Sequence, residues 1–300
     1  MGFADKESLE IYKKVGRITG EVLHYGASLI KPGIPHVEVL DKVEQRLIDR
    51  GVGLAFPAAL SVNHIAAHSA VVDESVVFRE GDVVKLDIGG EIEGFIADTA
   101  LTVDLGNHDE LLNASKSALQ NAISIVKSGV DVRELSSKIN STITKAGFSP
   151  VRNLTGHGLD KYIVHDDPVI PAYDNGNSVV LEKNRVIAIE PFATSGRGIV
   201  VESGEPTIFM LRVDKPVRSL TGRKILRKIH EFNGLPFTIR WFYRDFPKLL
   251  VNEAFREFRR KNMLLEFPPL AEISKGLVAQ FEHTMIVSDD GPIVTTLVDD

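Results

Sequence analysis

The stretch from Asp82 to Val103, DVVKLDIGGEIEGFIADTALTV, decides the fold. Two runs rich in β-branched and apolar residues flank a glycine-containing middle, which predicts a β-hairpin. Asp87 and Asp98 interrupt runs that are otherwise apolar. They are symmetric about Ile92–Glu93, so an unbulged hairpin sets them face to face. Directly opposed residues have Cβ atoms roughly 5 Å apart, and like charges there repel. Something positive belongs between them. Lys85 is the only basic side chain that alternates onto the right face, so a metal ion is the better candidate. Taken alone, two strand aspartates mark no more than a solvated face; the weight comes from their surroundings.

Working outward, Leu9, Tyr12, Val15, Ile18 and Val22 recur at helical spacing. They predict a helix from Glu7 to about Ile30, stopped by Lys31-Pro32-Gly33. A second helix is expected from about His36 to Asp49, and an extended stretch over Phe56–Asn63. Two amphipathic helices are expected near 108–128 and 131–146. Strands are then expected over Arg185–Glu190, Thr207–Leu211 and Val278–Val287. From Ser219 to about Pro269 the chain turns helical, basic and aromatic, with Arg240-Trp241-Phe242-Tyr243-Arg244 at its centre. This predicts an inserted helical subdomain over 219–269, within a main domain made of 1–218 and 270–300.

Composition narrows the chemistry. The chain has 300 residues, 43% hydrophobic and 25% charged, enough for a sizeable core. No apolar run approaches the length of a membrane span, and the N-terminus lacks the apolar core of a secretory signal. A cytoplasmic protein is expected. There are no cysteines, so any metal must be held by carboxylate and imidazole. A net charge of -6 argues against a general nucleic-acid binder and suits an acidic pocket that cations neutralise. The glycines at Gly89-Gly90 and around Arg197 lack the lysine and strand–loop–helix setting of a phosphate site.

Three further residues join the aspartates. Glu190 ends the run Val186-Ile187-Ala188-Ile189, and Glu282 lies in Ala279-Gln280-Phe281-Glu282-His283. Each is a lone carboxylate among apolar residues, where an unpaired charge is costly. His157 stands between two glycines, which let another backbone or a ligand approach closely. Singly, each fits an edge-strand or structural role. Together, four carboxylates and one imidazole balance two divalent ions. Such a pair can share a water, lower its pKa and polarise a scissile carbonyl. Oxygen-rich ligation with one histidine suits manganese, iron(II) or cobalt better than structural zinc.

The order Asp87, Asp98, His157, Glu190, Glu282, each within its local sequence, resembles the metal set of the methionine aminopeptidase and prolidase superfamily. The resemblance covers nearly the whole chain. It implies an α+β "pita-bread" (creatinase/aminopeptidase) fold: a curved antiparallel sheet flanked by helices, in two pseudo-twofold halves, with the metals in the central cleft. Type 2 methionine aminopeptidases in their compact archaeal form are the most similar. Phe56-Pro57 followed by Ser61-Val62-Asn63 and Ala66-Ala67-His68 resembles their substrate-histidine segment. His165 resembles a second cleft histidine, and the 91 residues between Glu190 and Glu282 leave room for a winged-helix-like insertion.

By that resemblance Asp87 chelates one metal, Asp98 and Glu282 bridge both, and His157 with Glu190 completes the other. The two ions would be cobalt, manganese, iron(II) or zinc. Glu190 would also shuttle protons, His68 and His165 would hydrogen-bond the substrate, and Phe56 would line the methionine pocket. His64 and His283 neighbour site residues and are read as supporting those residues or as structural. The implied activity is removal of the initiator methionine before a small second residue, by a hydroxide shared between the metals. Partners would be nascent polypeptide N-termini and, transiently, the ribosome, with no membrane or nucleic acid, and the protein a monomer. One rival is a prolidase or Xaa-Pro aminopeptidase, which usually carries a domain before the catalytic one. The other is a non-enzymatic RNA- or ribosome-binding relative, a kind that characteristically loses metal ligands.

Overall fold

A computed structural model of the protein describes residues 2–298. The helix Lys6–Leu29 starts at Asp5, whose carboxylate accepts from the backbone of Glu7 and Ser8 while Ser8 answers the Asp5 N–H in a capping box. It is followed by His36–Asp49, and together they cover one flank of a sheet. Val22, Val43, Leu86 and Ile88 meet in the core between them. The helices Asp109–Ile123 and Val132–Lys145 repeat the arrangement on the second half, over Ile187, Ile189 and Met285.

The main sheet has eight strands, all paired antiparallel. Across it run Gly53–Val62, Val83–Ile92, Phe95–Asp104, Glu282–Ile286, Val186–Ile189, Thr155–Asp160 and Ile163–Pro171, with Ile293–Val294 beside Glu282–Ile286. Each half therefore reads as two helices and then strands, and the late strand Glu282–Ile286 enters between the halves. This is the expected α+β pita-bread architecture.

The hairpin forms as expected, but its register corrects the sequence reading. Glu93 and Gly94 both have positive φ, 54° and 86°. These are the two central positions of a type I′ turn, whose twist matches the flanking strands. The turn therefore centres on Glu93–Gly94, one step later than Ile92–Glu93. Asp87 pairs with Ala100 and Asp98 with Gly89. The two aspartates are diagonal neighbours on one face, not directly opposed.

Hydroxyls sew the hairpin to the closing strand, where the ladder itself registers only Glu282 with Ala100 and His283 with Thr99. Thr102 Oγ1 donates to the Gln280 carbonyl and accepts from its N–H, at 2.7 and 2.8 Å. Thr284 Oγ1 does the same for Asp98, at 2.7 and 2.8 Å. Both sides of a short ladder are thus satisfied without longer strands.

Between Leu220 and Arg260 lie three helices: Leu220–Glu231, Ile239–Tyr243 and Lys248–Arg260. They pack around Phe237, Phe242, Phe255 and Phe258. A small sheet joins Phe237–Thr238 and Leu264–Phe267 to Ile208–Leu211, a strand upstream of the expected boundary at 219. Among the described residues, no helix is long and apolar enough to cross a membrane.

Candidate metal centre

Alternation along the hairpin puts Lys85, Asp87 and Gly89 on the face away from the Lys6–Leu29 helix. Asp87 has Ala59 on one side and Ala100 on the other, and Ala100 is followed by Glu282. His157 has Ala188 beside it. These alanines keep the space above the sheet low, so the longer acidic side chains can converge there. Glu190 lies just past the end of its strand, and Pro191 follows it.

The five side chains expected from sequence come together. His157 Nε2 lies 3.6 Å from Glu190 Oε1 and 3.8 Å from Asp98 Oδ2. Ligand atoms of Asp98, His157 and Glu282 all fall within 4.8 Å of one another. His157 Nδ1 is 3.0 Å from the Gly158 carbonyl. A carbonyl only accepts, so Nδ1 carries the proton and Nε2 presents its lone pair. The glycines around His157 serve another backbone: a Cβ on Gly158 would lie 1.9 Å from the Asp167 carbonyl oxygen.

Burial makes this cluster expensive as bare charge. Asp98, His157 and Glu282 are buried, whereas Asp87 and Glu190 keep slight exposure. Burial pushes the Asp87 carboxyl up to about 7. Burial first, then the neighbouring carboxylates, raises Asp98, Glu190 and Glu282 well above the usual range. Burial, with His165 close by, lowers His157 to about 3.

Lys85 does not relieve the strain. It is wholly buried, where desolvation lowers its pKa well below the usual range, and its Nζ donates to the carbonyls of Asn63 and Val278, both at 2.9 Å. Asp87 Oδ1, Asp98 Oδ1 and Glu282 Oε1 are buried acceptors without a hydrogen-bond donor. Orphaned carboxylate oxygens converging beside an imidazole lone pair fit divalent metal, the group that an oxygen-rich donor set of this kind holds.

Gln280 is the residue that sequence reasoning missed. Its side chain is buried, and Nε2 sits 3.4 Å from each of Asp87 Oδ2, Glu190 Oε2 and Glu282 Oε2. The available signal was its position two residues before Glu282, which gives it the same face.

His68 and His165 rim the cluster. His165 is exposed at the mouth with its ring centroid 4.4 Å from that of His157, yet enough protein flanks it for desolvation to lower its pKa. His68 has φ +62°, and its ring meets the edge of Phe267 at 5.9 Å. Burial, with His165 nearby, lowers it to about 4, so it is neutral at pH 7. Phe56 is half-buried and lies against Gly89. His283 packs away from the cluster, with Nδ1 2.9 Å from Thr296 Oγ1.

The sequence pattern of metallopeptidase family M24 matches residues 10–289. The chain belongs to metallopeptidase family M24. Within the family it is 44% identical, over 294 residues, to a methionine aminopeptidase of Archaeoglobus fulgidus, covering 97% of this chain and 99% of the relative. It shares its fold with a methionine aminopeptidase from Thermotoga maritima, at a TM-score of 0.74 and 23% identity, over 99% of both chains. A thermophilic Arx1 is similar in fold at a TM-score of 0.84 and 15% identity, covering 99% of this chain and 93% of the other.

Proposed function

We propose that this M24 metallopeptidase is a methionine aminopeptidase that removes the initiator methionine from polypeptides whose second residue is small. The observation that carries the reading is the convergence of four carboxylates and one imidazole with orphaned acceptor atoms. The full-length similarity to an archaeal methionine aminopeptidase directs it to that substrate.

Asp87, Asp98, His157, Glu190 and Glu282 would hold two divalent ions, of cobalt, manganese, iron(II) or zinc. When bound, the ions supply Lewis acidity and an activated water. The rest falls to the protein. Glu190, its carboxylate kept ionised by the cations beside it, takes a proton from the attacking water and returns it to the departing amide nitrogen. Gln280 points its amide at three of the carboxylates and limits their rotation. His68 and His165, both neutral, hold the scissile amide at the rim, and Phe56 walls the methionine side chain. The segment 219–269, together with Ile208–Leu211, forms a separate helical subdomain. Its Phe267 supports His68. Substrates are nascent N-termini, met at or near the ribosome.

Mass spectrometry of a peptide panel tests the reading. Met-Ala and Met-Gly peptides should lose methionine, whereas Met-Lys and Ala-Pro peptides should stay intact. A preference for cleavage before proline would move the protein to the prolidase branch.

A further inference from the structure

Gly89 and Gly90 sit side by side in the central hairpin and face opposite ways. A Cβ on Gly90 would meet Thr19 Oγ1 at 2.3 Å, on the side of the Lys6–Leu29 helix. The three atoms that a Cβ on Gly89 would approach most closely all belong to Phe56: ring carbons Cε1, Cδ1 and Cζ, at 2.2, 2.5 and 2.7 Å. Gly89 pairs with Phe56 in the strand on one side and with Asp98 in the strand on the other. Directly paired residues project to the same face. The Phe56 ring therefore lies flat on the sheet over Gly89, on the face that carries Asp87 and Asp98. It rests where a side chain at 89 would stand.

We propose that Gly89 is a specificity-determining residue: its missing side chain sets how low the Phe56 ring sits, and so how long an N-terminal side chain the cleft accepts. This rests on the reading of the chain as a methionine aminopeptidase with Phe56 as a wall of the pocket. Carbon atoms pack at about 3.5 Å, so any Cβ at position 89 drives the ring off the sheet by about 1 Å. The backbone of Phe56 gives little ground, because Pro57 confines it to extended conformations. The remaining freedom is for the ring to rise into the space above Asp98. Gly89→Ala thus shortens the pocket without touching a carboxylate or a histidine.

The experiment compares kcat/KM for Met-Ala-Ser and norvaline-Ala-Ser peptides in wild type, Gly89→Ala, Phe56→Leu and the double variant, with bound metal measured in each. A lost methylene of apolar contact is worth about fourfold. Gly89→Ala should therefore lower the Met-to-norvaline ratio by about fourfold to fifteenfold, with metal content unchanged. In the Phe56→Leu background the same substitution should leave the ratio within about twofold, because the flat ring is gone. Equal loss on both peptides, or the same fall in both backgrounds, overturns the proposal. Should Gly89→Ala not fold, a folded double variant with Phe56→Leu selectivity still supports it. An unfolded double variant overturns it, since the demand for glycine would then come from something other than Phe56. A wild type that leaves Met-Ala-Ser intact would instead overturn the functional reading beneath it.

Discussion

Nε2 of His157 stands 3.6 Å from Oε1 of Glu190, and with Glu190 ionised both atoms offer lone pairs. The contact repels unless a cation lies between them. His157→Ala removes one donor from one ion and leaves the aspartates in place. Bound metal, measured by elemental analysis after equilibration at limiting concentration, should fall from about two ions per chain to about one. Turnover should fall with it. Retention of both ions would remove His157 from the ligand set.

His68 should separate from His157 in the same assay. It belongs to a different segment, is held at φ +62° and meets Phe267 rather than a carboxylate. His68→Ala should keep both ions yet lose about 10²–10³ in kcat, the worth of one polar contact made in the transition state. KM for Met-Ala peptides should change little if the contact strengthens only at that point. Loss of an ion in this variant would reverse the two roles.

Chelation should abolish turnover, and manganese, iron(II) or cobalt should restore it. Apo protein should also melt at a lower temperature than loaded protein, since ions bound only by the folded chain stabilise it by mass action. The physical reason is local: acceptor oxygens of Asp87, Asp98 and Glu282 have no donor, and Lys85 is committed to backbone carbonyls. Full activity after rigorous metal removal would end the metallopeptidase reading of this cluster.

The carboxylates were legible because each breaks an apolar strand, and a charge among Val, Ile and Ala stands out in any pattern reading. The hairpin was legible too, but not its register. Centring the turn on Ile92–Glu93 or on Glu93–Gly94 shifts pairing by two residues, and the choice depends on Glu93 accepting a positive φ. Gln280 was hidden for a different reason. A neutral amide in a strand carries no unpaid charge, so only its neighbours in space reveal it. The partners of the insertion's basic residues were hidden for the same reason. Arg240 finds its carboxylates 196 and 199 positions away, on the His36–Asp49 helix.

That last connection yields a stability prediction. Glu44 is fully buried, and its oxygens accept from Arg240 Nη2 at 2.6 Å and Trp241 Nε1 at 3.0 Å. Arg240 is also buried and binds Asp41 through Nη1. Removing one member of a buried pair strands the other, at about 3–5 kcal/mol. The two deletions should not be equal. Glu44→Ala leaves Arg240 its bond to Asp41, whereas Arg240→Ala leaves Glu44 with the indole and a more distant Arg244 at 3.7 Å. Arg240→Ala should therefore lie at the upper end of that range and Glu44→Ala at the lower, by urea unfolding. A double variant, Glu44→Leu with Arg240→Met, should recover much of the loss, because no buried charge is left unpaired between them. If Arg240→Ala instead unfolds in two steps, the earlier one is release of the helical segment from the His36–Asp49 helix. Equal small effects from all three variants would mean that apolar packing around Phe237 and Phe242, not this ion pair, holds the segment in place.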